Sequence, residues 1–375
     1  MPRVAELVAF LERLAPPELA EEWDNVGFLL GDRQGEARQV LTCLTLTPDV
    51  VREAIEKQAG LVVTHHPVPF RPVKRLTADD DQGQMLLSLI AAGVAVYSPH
   101  TAYDSADEGI NQQLARLLGL VQIEPLRPLP AGRQCKIVTF VPKANLAAVQ
   151  RAVWSAGAGI IGEYANCSFV TEGTGSFEGS AAANPAVGER GKLEEVAEAR
   201  LEVVCPERLV PEALRRLREA HPYEEPAYDV YPLAPQTSRR GSGRMGVLEA
   251  ADRTGAAHKI SLAEFLTLVK SKFPVAELPY VGDLRRSVSR VAIACGAGGD
   301  FLPAAIGKSC DVLLTGEARF HTCLEARTAG VGLVMAGHYA TERPAMENLA
   351  AALSREFPQV SAWASEVERD PVHWK

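Results

Sequence analysis

The chain predicts an α/β protein interrupted by an α+β insert, and three features carry that expectation. Residues 1–128 alternate helix-period segments with short, nearly all-apolar runs, as parallel strands covered on both faces do. The same texture returns from Val288 onward. Between the two, the order changes to strand, helix, strands, strand, helix, strand, the split β-α-β arrangement of a ferredoxin-like module.

In order, Val4–Leu14 carries apolar residues at helical spacing. Val40–Leu46 reads as a strand, and Pro48–Lys57 as a helix entered through Thr47 and Pro48. Gly60–Thr64 is a short strand, Met85–Ala92 a helix, Val94–Tyr97 a strand, and Ile110–Leu118 a helix ended by Gly119. The pattern shifts at Pro128–Arg133. Lys136–Val141 is then a strand, Asn145–Ala156 a helix, and Gly157–Ser180 a glycine-rich stretch without helical period. Ala199–Val204, Val210–Ala220 and Ala227–Leu233 read as strand, helix and strand, and the polar stretch Ala234–Gly243 as an exit linker. Beyond it lie strands at Val288–Ala294, Val312–Leu314 and Gly332–Ala336, with helices from about Phe301, over Phe320–Ala329 and over Pro344–Leu353. The two α/β portions form either one layered domain or two related lobes.

At 375 residues and 47% hydrophobic, the chain is long enough for two or three domains with their own cores. No run approaches the roughly 20 apolar residues needed to span a bilayer. The charged, amphipathic start Met-Pro-Arg-Val-Ala-Glu is no signal peptide, so a cytoplasmic protein is expected. The seven cysteines are scattered and never form Cys-x-x-Cys, which fits buried thiols better than a disulfide framework or thiolate zinc site. A net charge of −8 without a Lys/Arg stripe argues against direct nucleic-acid binding.

Chemistry concentrates at strand ends. His65 and His66 follow the apolar run Leu61–Thr64, His100 and Asp104 follow Val94–Tyr97, and His338 and Glu342 follow Gly332–Ala336. In a parallel sheet the carboxyl ends of strands open onto one edge, where ligand sites form. His338 and Glu342 are four apart and share a helix face if the helix begins there. His65, His66, Asp104, His338 and Glu342 make a mixed nitrogen–oxygen set suited to two divalent ions, with Glu342 able to bridge them at about 3.5–4 Å. Lacking thiolates, such a site favours catalytic over structural zinc. Singly, Asp104 could cap a helix starting near Ser105, Glu342 could serve a helix dipole, and His338 could be a satisfied core histidine. The turn Cys295–Asp300 is glycine-rich but lacks dinucleotide or P-loop spacing.

These residues fall within Glu22-Trp-Asp-Asn-Val-Gly27, Thr64-His-His-Pro67, His100-Thr-Ala-Tyr-Asp104, Thr315-Gly-Glu317 with His321, and Gly337-His-Tyr-Ala-Thr-Glu342. Together these motifs resemble the GTP cyclohydrolase 1 type 2 homologue family, also called Nif-three-like. Gly157–Tyr164, Cys167-Ser-Phe169 and His221–Tyr228 resemble the PII/CutA-like insert of its longer members. The resemblance implies two related α/β lobes forming the host domain, over residues 1–129 and 237–375, with the inserted ferredoxin-like domain at 130–236. It also implies a toroidal homohexamer with a dinuclear metal site, one ion on His65 and His338, the other on His66 and Asp104, and Glu342 bridging. Thr45 stands where many members carry Asp, and Ala102 where bacterial members often have Asn, which touches the surroundings of the ligands rather than the ligands.

The functional expectation is a metal-dependent, cyclohydrolase-like hydrolase acting on a nucleotide or related heterocycle through two divalent ions, zinc first, with iron, manganese or nickel also admitted by the ligands. His100 and His321 are candidates to move protons or to support the ligands. Trp23 and Tyr339 are expected to pack as a wall near the site. The alternative is a non-catalytic metal-binding or regulatory protein whose PII-like insert senses a small ligand.

Overall fold

The computed structural model describes residues 2–130, 132–162, 164–234, 237–249 and 259–373. The chain divides into two compact units, one of Met1–Leu129 with Ser238–Lys375, the other of Pro130–Thr237.

The first unit holds two principal sheets. In one, Gly27–Leu30, Ala95–Ser98, Leu61–Thr64, Gln39–Cys43 and Ser361–Ala364 are neighbours in that order, with all pairings parallel except Gly27–Leu30 on Ala95–Ser98. In the other the order is Tyr280–Val281, Gly332–Met335, Val312–Thr315, Arg290–Ala294, Arg244–Leu248 and Leu120–Glu124, with a parallel core at Arg290–Ala294, Val312–Thr315 and Gly332–Met335. Each sheet therefore takes a strand from the other end of the unit: Ser361–Ala364 joins the N-terminal sheet, and Leu120–Glu124 the C-terminal one. The apolar runs become strands because both of their faces are covered. Leu61, Val62 and Val63 are fully buried, and each such side chain stabilises the fold by roughly 1.5–3 kcal/mol. Helix Val4–Leu14 packs Val4, Leu7, Val8 and Leu11 inward, the i, i+3, i+4, i+7 stripe read from its sequence.

Several elements differ from expectation. Helix Asp81–Ala91 starts a turn earlier than Met85 because Asp80 caps it, its side chain accepting from the Gly83 amide. Asp104 caps nothing; it lies inside a short helix, His100–Ser105. The stretch read as an exit linker contains strand Thr237–Ser242, paired with Arg127–Pro130 where the chain leaves the unit. Helix Leu262–Lys272 was not predicted, although Ser261 and Glu264 form a capping box visible in the sequence.

The second unit runs strand Gln134–Pro142, helix Leu146–Ser155, strands Phe169–Glu178 and Leu193–Pro206, helix Val210–Ala220, strand Tyr228–Pro232. Its sheet is antiparallel, with Tyr228–Pro232 at one edge, then Gln134–Pro142, Leu193–Pro206 and Phe169–Glu178. Ile137, Val141, Leu201 and Val203 form its core with Val149, Val153, Ala213 and Leu217 of the two helices. Among the described residues, no helix is long and apolar enough to cross a membrane.

Strand Ser361–Ala364 and the turn after it are fastened by a buried carboxylate. Glu53 accepts from Ser365 Oγ at 2.6 Å, from Trp363 Nε1 and the Glu366 amide at 3.1 Å, and from Lys57 Nζ at 3.0 Å. Burial alone would raise its pKa, but these donors hold it below the ordinary 4.5. A depressed carboxylate contributes stability that is full above its unfolded value and is lost as pH falls through the folded one. Glu53→Gln is thus expected to cost about 1–3 kcal/mol at pH 7. In urea unfolding curves, the gap from wild type should close as pH drops below about 4.5; a gap independent of pH would refute the assignment.

Candidate metal centre

The carboxyl ends of the two parallel cores face each other in the first unit, and the site is built between them. The N-terminal sheet contributes His65 and His66 as a continuation of its strand, their amides bonded to the Cys43 and Leu44 carbonyls at 2.9 Å. It also contributes His100 and Asp104 through the helix after Ala95–Ser98. The C-terminal sheet supplies His338 and Glu342, on one face of the short helix His338–Glu342 that follows Gly332–Met335. The sequence places these residues at strand ends of two α/β portions, and the structure assigns those ends to two sheets.

Their ligand atoms converge. One atom each from His65, Asp104 and Glu342 lie within 4.8 Å of one another, as do those of His66, His338 and Glu342, and those of His65, His66 and His100. Glu342 Oε2 lies 3.0 Å from His338 Nε2, 3.1 Å from His66 Nε2 and 3.9 Å from His65 Nε2, and Asp104 Oδ1 lies 3.6 Å from His65 Nε2. These groupings differ from the pairing that the resemblance implies, His65 with His338 and His66 with Asp104. His65 sits with Asp104, and His66 with His338, because the adjacent rings diverge by 51° with centroids 5.3 Å apart.

The outward nitrogens of three rings are anchored. His100 Nδ1 donates to Asp24 Oδ1 and His338 Nδ1 to Glu317 Oε1, both at 2.7 Å, while His66 Nδ1 lies 2.7 Å from Thr45 Oγ1. A metal-binding histidine is oriented in this way, its second nitrogen held by an oxygen behind it. His65 is fully buried, and neither ring nitrogen has a hydrogen-bond partner among the described residues. Two unsatisfied polar atoms there are costly without something that uses them, and imidazole among carboxylates is a fitting donor set for a divalent cation.

Electrostatics follow the geometry. Burial pushes His65 down to about 3, so its ring stays neutral. For His338 burial acts downward too, but the hydrogen bond and charge of Glu342, with Glu317, carry it up to about 9. His100 is raised despite burial, chiefly by its bond to Asp24. Asp104 is raised by burial and by Glu342, whereas the histidines around Glu342 outweigh its burial and keep it strongly acidic. Cys295, a neutral thiol by burial, donates to Asp104 Oδ1 at 3.2 Å. Asn111 joins the two, accepting from the Cys295 amide and donating to the Asp104 carbonyl. Buried Arg244 holds the Ser105 and Ala106 carbonyls just beyond Asp104.

His321 is not brought in; it is exposed at the start of helix Phe320–Ala329 and joins none of the ligand groups among the described residues. Ala102 is buried in the core. Tyr339 is partly buried and donates to the Glu368 carbonyl, and Trp23, 62% exposed, borders the site at its outer side with its ring edge-on to His100. Sequence reasoning reached Asp24, Thr45, Cys295 and Glu317 only as members of motifs and did not give their partners, His100, His66, Asp104 and His338. The Cys295–Asp300 turn borders the site through Cys295 and Gly296. At Gly296, φ is +58° and an added Cβ would lie 2.0 Å from Glu342 Oε1.

The Duf34/NIF3 (NGG1p interacting factor 3) family profile matches residues 2–371, and the chain belongs to that family. Proteins named GTP cyclohydrolase 1 type 2 homolog are similar throughout. That of Listeria monocytogenes is 36% identical over 89% of this chain and 87% of its own, and that of Mycobacterium tuberculosis 36% over 95% and 92%. A Bacillus cereus protein related to NIF3 superposes with a TM-score of 0.77 at 33% identity, over 100% of this chain and 99% of its own. A Staphylococcus aureus protein superposes at 0.82 and 28%, with the same coverage.

Gly296→Ala is expected to displace the Glu342 carboxylate and lower bound divalent metal at least ten-fold, with the far-ultraviolet circular dichroism unchanged. Elemental analysis after equilibration in zinc checks this, and full retention of metal would contradict it.

Proposed function

We propose that the protein is a dinuclear metal-dependent hydrolase, one ion held by His65 and Asp104, the other by His66 and His338, with Glu342 shared. The observation that carries the reading is fully buried His65, both ring nitrogens without a hydrogen-bond partner among the described residues, facing two carboxylates. Bound divalent ions supply Lewis acidity and lower the pKa of water to about 7. The chain's own residues do the rest. Asp24 fixes the tautomer of His100 and keeps Nδ1 occupied, so Nε2 is the atom that holds or passes a proton. Glu317 and Thr45 keep the His338 and His66 rings aimed at Glu342. The relatives' name supports a nucleotide or similar heterocycle as substrate, and imidazole with carboxylate suits zinc, iron, manganese or nickel.

Metal-loaded protein is expected to turn over a member of a panel of nucleoside triphosphates and phosphoesters, and His66→Ala to lose both turnover and metal. Asp24→Asn should keep its metal yet lower kcat by about a hundred-fold, the scale of general acid–base help. A fully loaded protein that hydrolyses nothing in the panel would leave only metal binding.

A second reading, ligand sensing by an inserted PII/CutA-like domain over 130–236, is favoured by a cavity of about 840 Å³ in the second unit. It is lined by Phe140, Phe177, Arg200, Tyr223 and buried Glu198, whose Oε1 accepts from Tyr223 Oη at 2.7 Å. That volume lies within the range of small-molecule sites. If the reading holds, a metabolite panel should contain a compound that raises the melting temperature of the full chain but not of Glu198→Gln. Equal shifts in both proteins would count against it.

A further inference from the structure

Trp23 and Phe70 stand beside the metal centre with their rings in solvent. Trp23 is 62% exposed and Phe70 44%, yet their centroids are 6.0 Å apart. Single exposed apolar side chains need no explanation, but two aromatic rings gathered at one spot do. Both meet the His100 ring edge-on, Trp23 at 6.1 Å and Phe70 at 6.4 Å. His100 in turn lies 5.2 Å from His65 and 5.6 Å from His66. The exposed pair is thus one ring away from the ligand cluster.

The backbone beneath the pair is fastened from three directions. Asn25 Nδ2 donates to the Pro69 carbonyl at 2.6 Å, tying the segment that carries Trp23 to the one that carries Phe70. Asp24 accepts from His100 Nδ1 and from the Thr101 amide, and the Glu21 amide donates to Thr101 Oγ1 at 3.0 Å. Exposed aromatic rings on a pinned backbone can take a planar partner with little further loss of freedom.

We propose that Trp23 and Phe70 form a stacking shelf for a planar heterocycle, holding the ring of the substrate so that its neighbouring atoms reach His100 and the metal-binding histidines. The proposal rests on the hydrolase reading of that centre and adds to it the residues that select a ring. The net charge of −8 favours a free mononucleotide-sized heterocycle over a polyanionic strand. Stacking reads the face of a ring rather than its hydrogen-bonding edges, so the shelf selects a ring rather than one particular base.

The test compares ligands with and without a ring on zinc-loaded, full-length protein. Calorimetric titrations would use guanosine, adenosine and uridine triphosphates, with inorganic tripolyphosphate as the ring-free control. At least one nucleotide is expected to bind ten-fold or more tightly than tripolyphosphate and to quench Trp fluorescence. Trp23→Leu and Phe70→Leu should each erase most of that advantage, on the scale of stacking lost by truncation. Trp23→Phe should keep much of it, and tripolyphosphate should bind all variants alike. If no nucleotide exceeds tripolyphosphate in the wild type, or the advantage survives both leucine variants, the shelf is overturned even where turnover persists. Shelf-dependent binding without turnover would instead leave the shelf standing and remove the hydrolase reading.

Discussion

Burying an ionised carboxylate costs several kcal/mol unless donors or positive charge surround it, and Glu342 is buried, 4% exposed, at the meeting of two sheets. Three imidazole nitrogens lie within 3.9 Å of its Oε2. Two of them come from the N-terminal sheet and one from the helix that carries Glu342 itself, so this one group links both halves of the unit. Gly296 is the steric counterpart: only a residue without a side chain leaves the carboxylate its place. Strand, turn and helix around Glu342 are thereby fixed to one another by a single requirement, that its charge be matched.

The fold meets that requirement with ordinary means. Each parallel strand ends in a turn, and in both cores the turn puts a polar side chain where the next element begins. Each anchoring contact behind His66, His100 and His338 comes from another strand end or turn: Thr45 after Gln39–Cys43, Asp24 before Gly27–Leu30, Glu317 after Val312–Thr315. The aromatic shelf uses the same turns. Asp24, between Trp23 and Asn25, orients His100 while its neighbours fasten the exposed rings, so ring geometry and histidine geometry cannot change independently.

How much of this was legible depended on the kind of signal. His65, His66, Asp104, His338 and Glu342 could be read because ligand-type residues at the ends of apolar runs are unusual and their spacing is local. Their partition could not, since the direction in which neighbouring side chains leave a strand end depends on the turn. His321 was drawn in by nearness to Glu317 in sequence, but the helix start at Phe320 leaves it exposed. Strand Gly27–Leu30 escaped because it is half-buried and short, and Ser361–Ala364 because nothing local says that a C-terminal segment will pair with Gln39–Cys43. The linker reading of Ala234–Gly243, of which residues 235–236 lie outside the described residues, failed over Thr237–Ser242 for a related reason: polar composition does not exclude strand pairing, and a two-stranded ribbon can be as polar as a loop.

The two ligand groups that share Glu342 are chemically unlike. His66 and His338 with Glu342 make a nitrogen-rich set, whereas His65 with Asp104 and Glu342 is oxygen-rich and holds the fully buried imidazole. Donor type and geometry, more than raw affinity, decide which divalent metal a site keeps. Two ions held by these sets would meet different fields, the oxygen-rich set suiting the harder ion and the nitrogen-rich set the softer one. The surroundings deepen the asymmetry, because the thiol of Cys295 donates to Asp104 while a full carboxylate stands behind His338. Asymmetry of this kind would give a dinuclear site distinct positions for holding and for activating, and on the proposed reading His100, backed by Asp24, is the proton-bearing group beside both adjacent histidines.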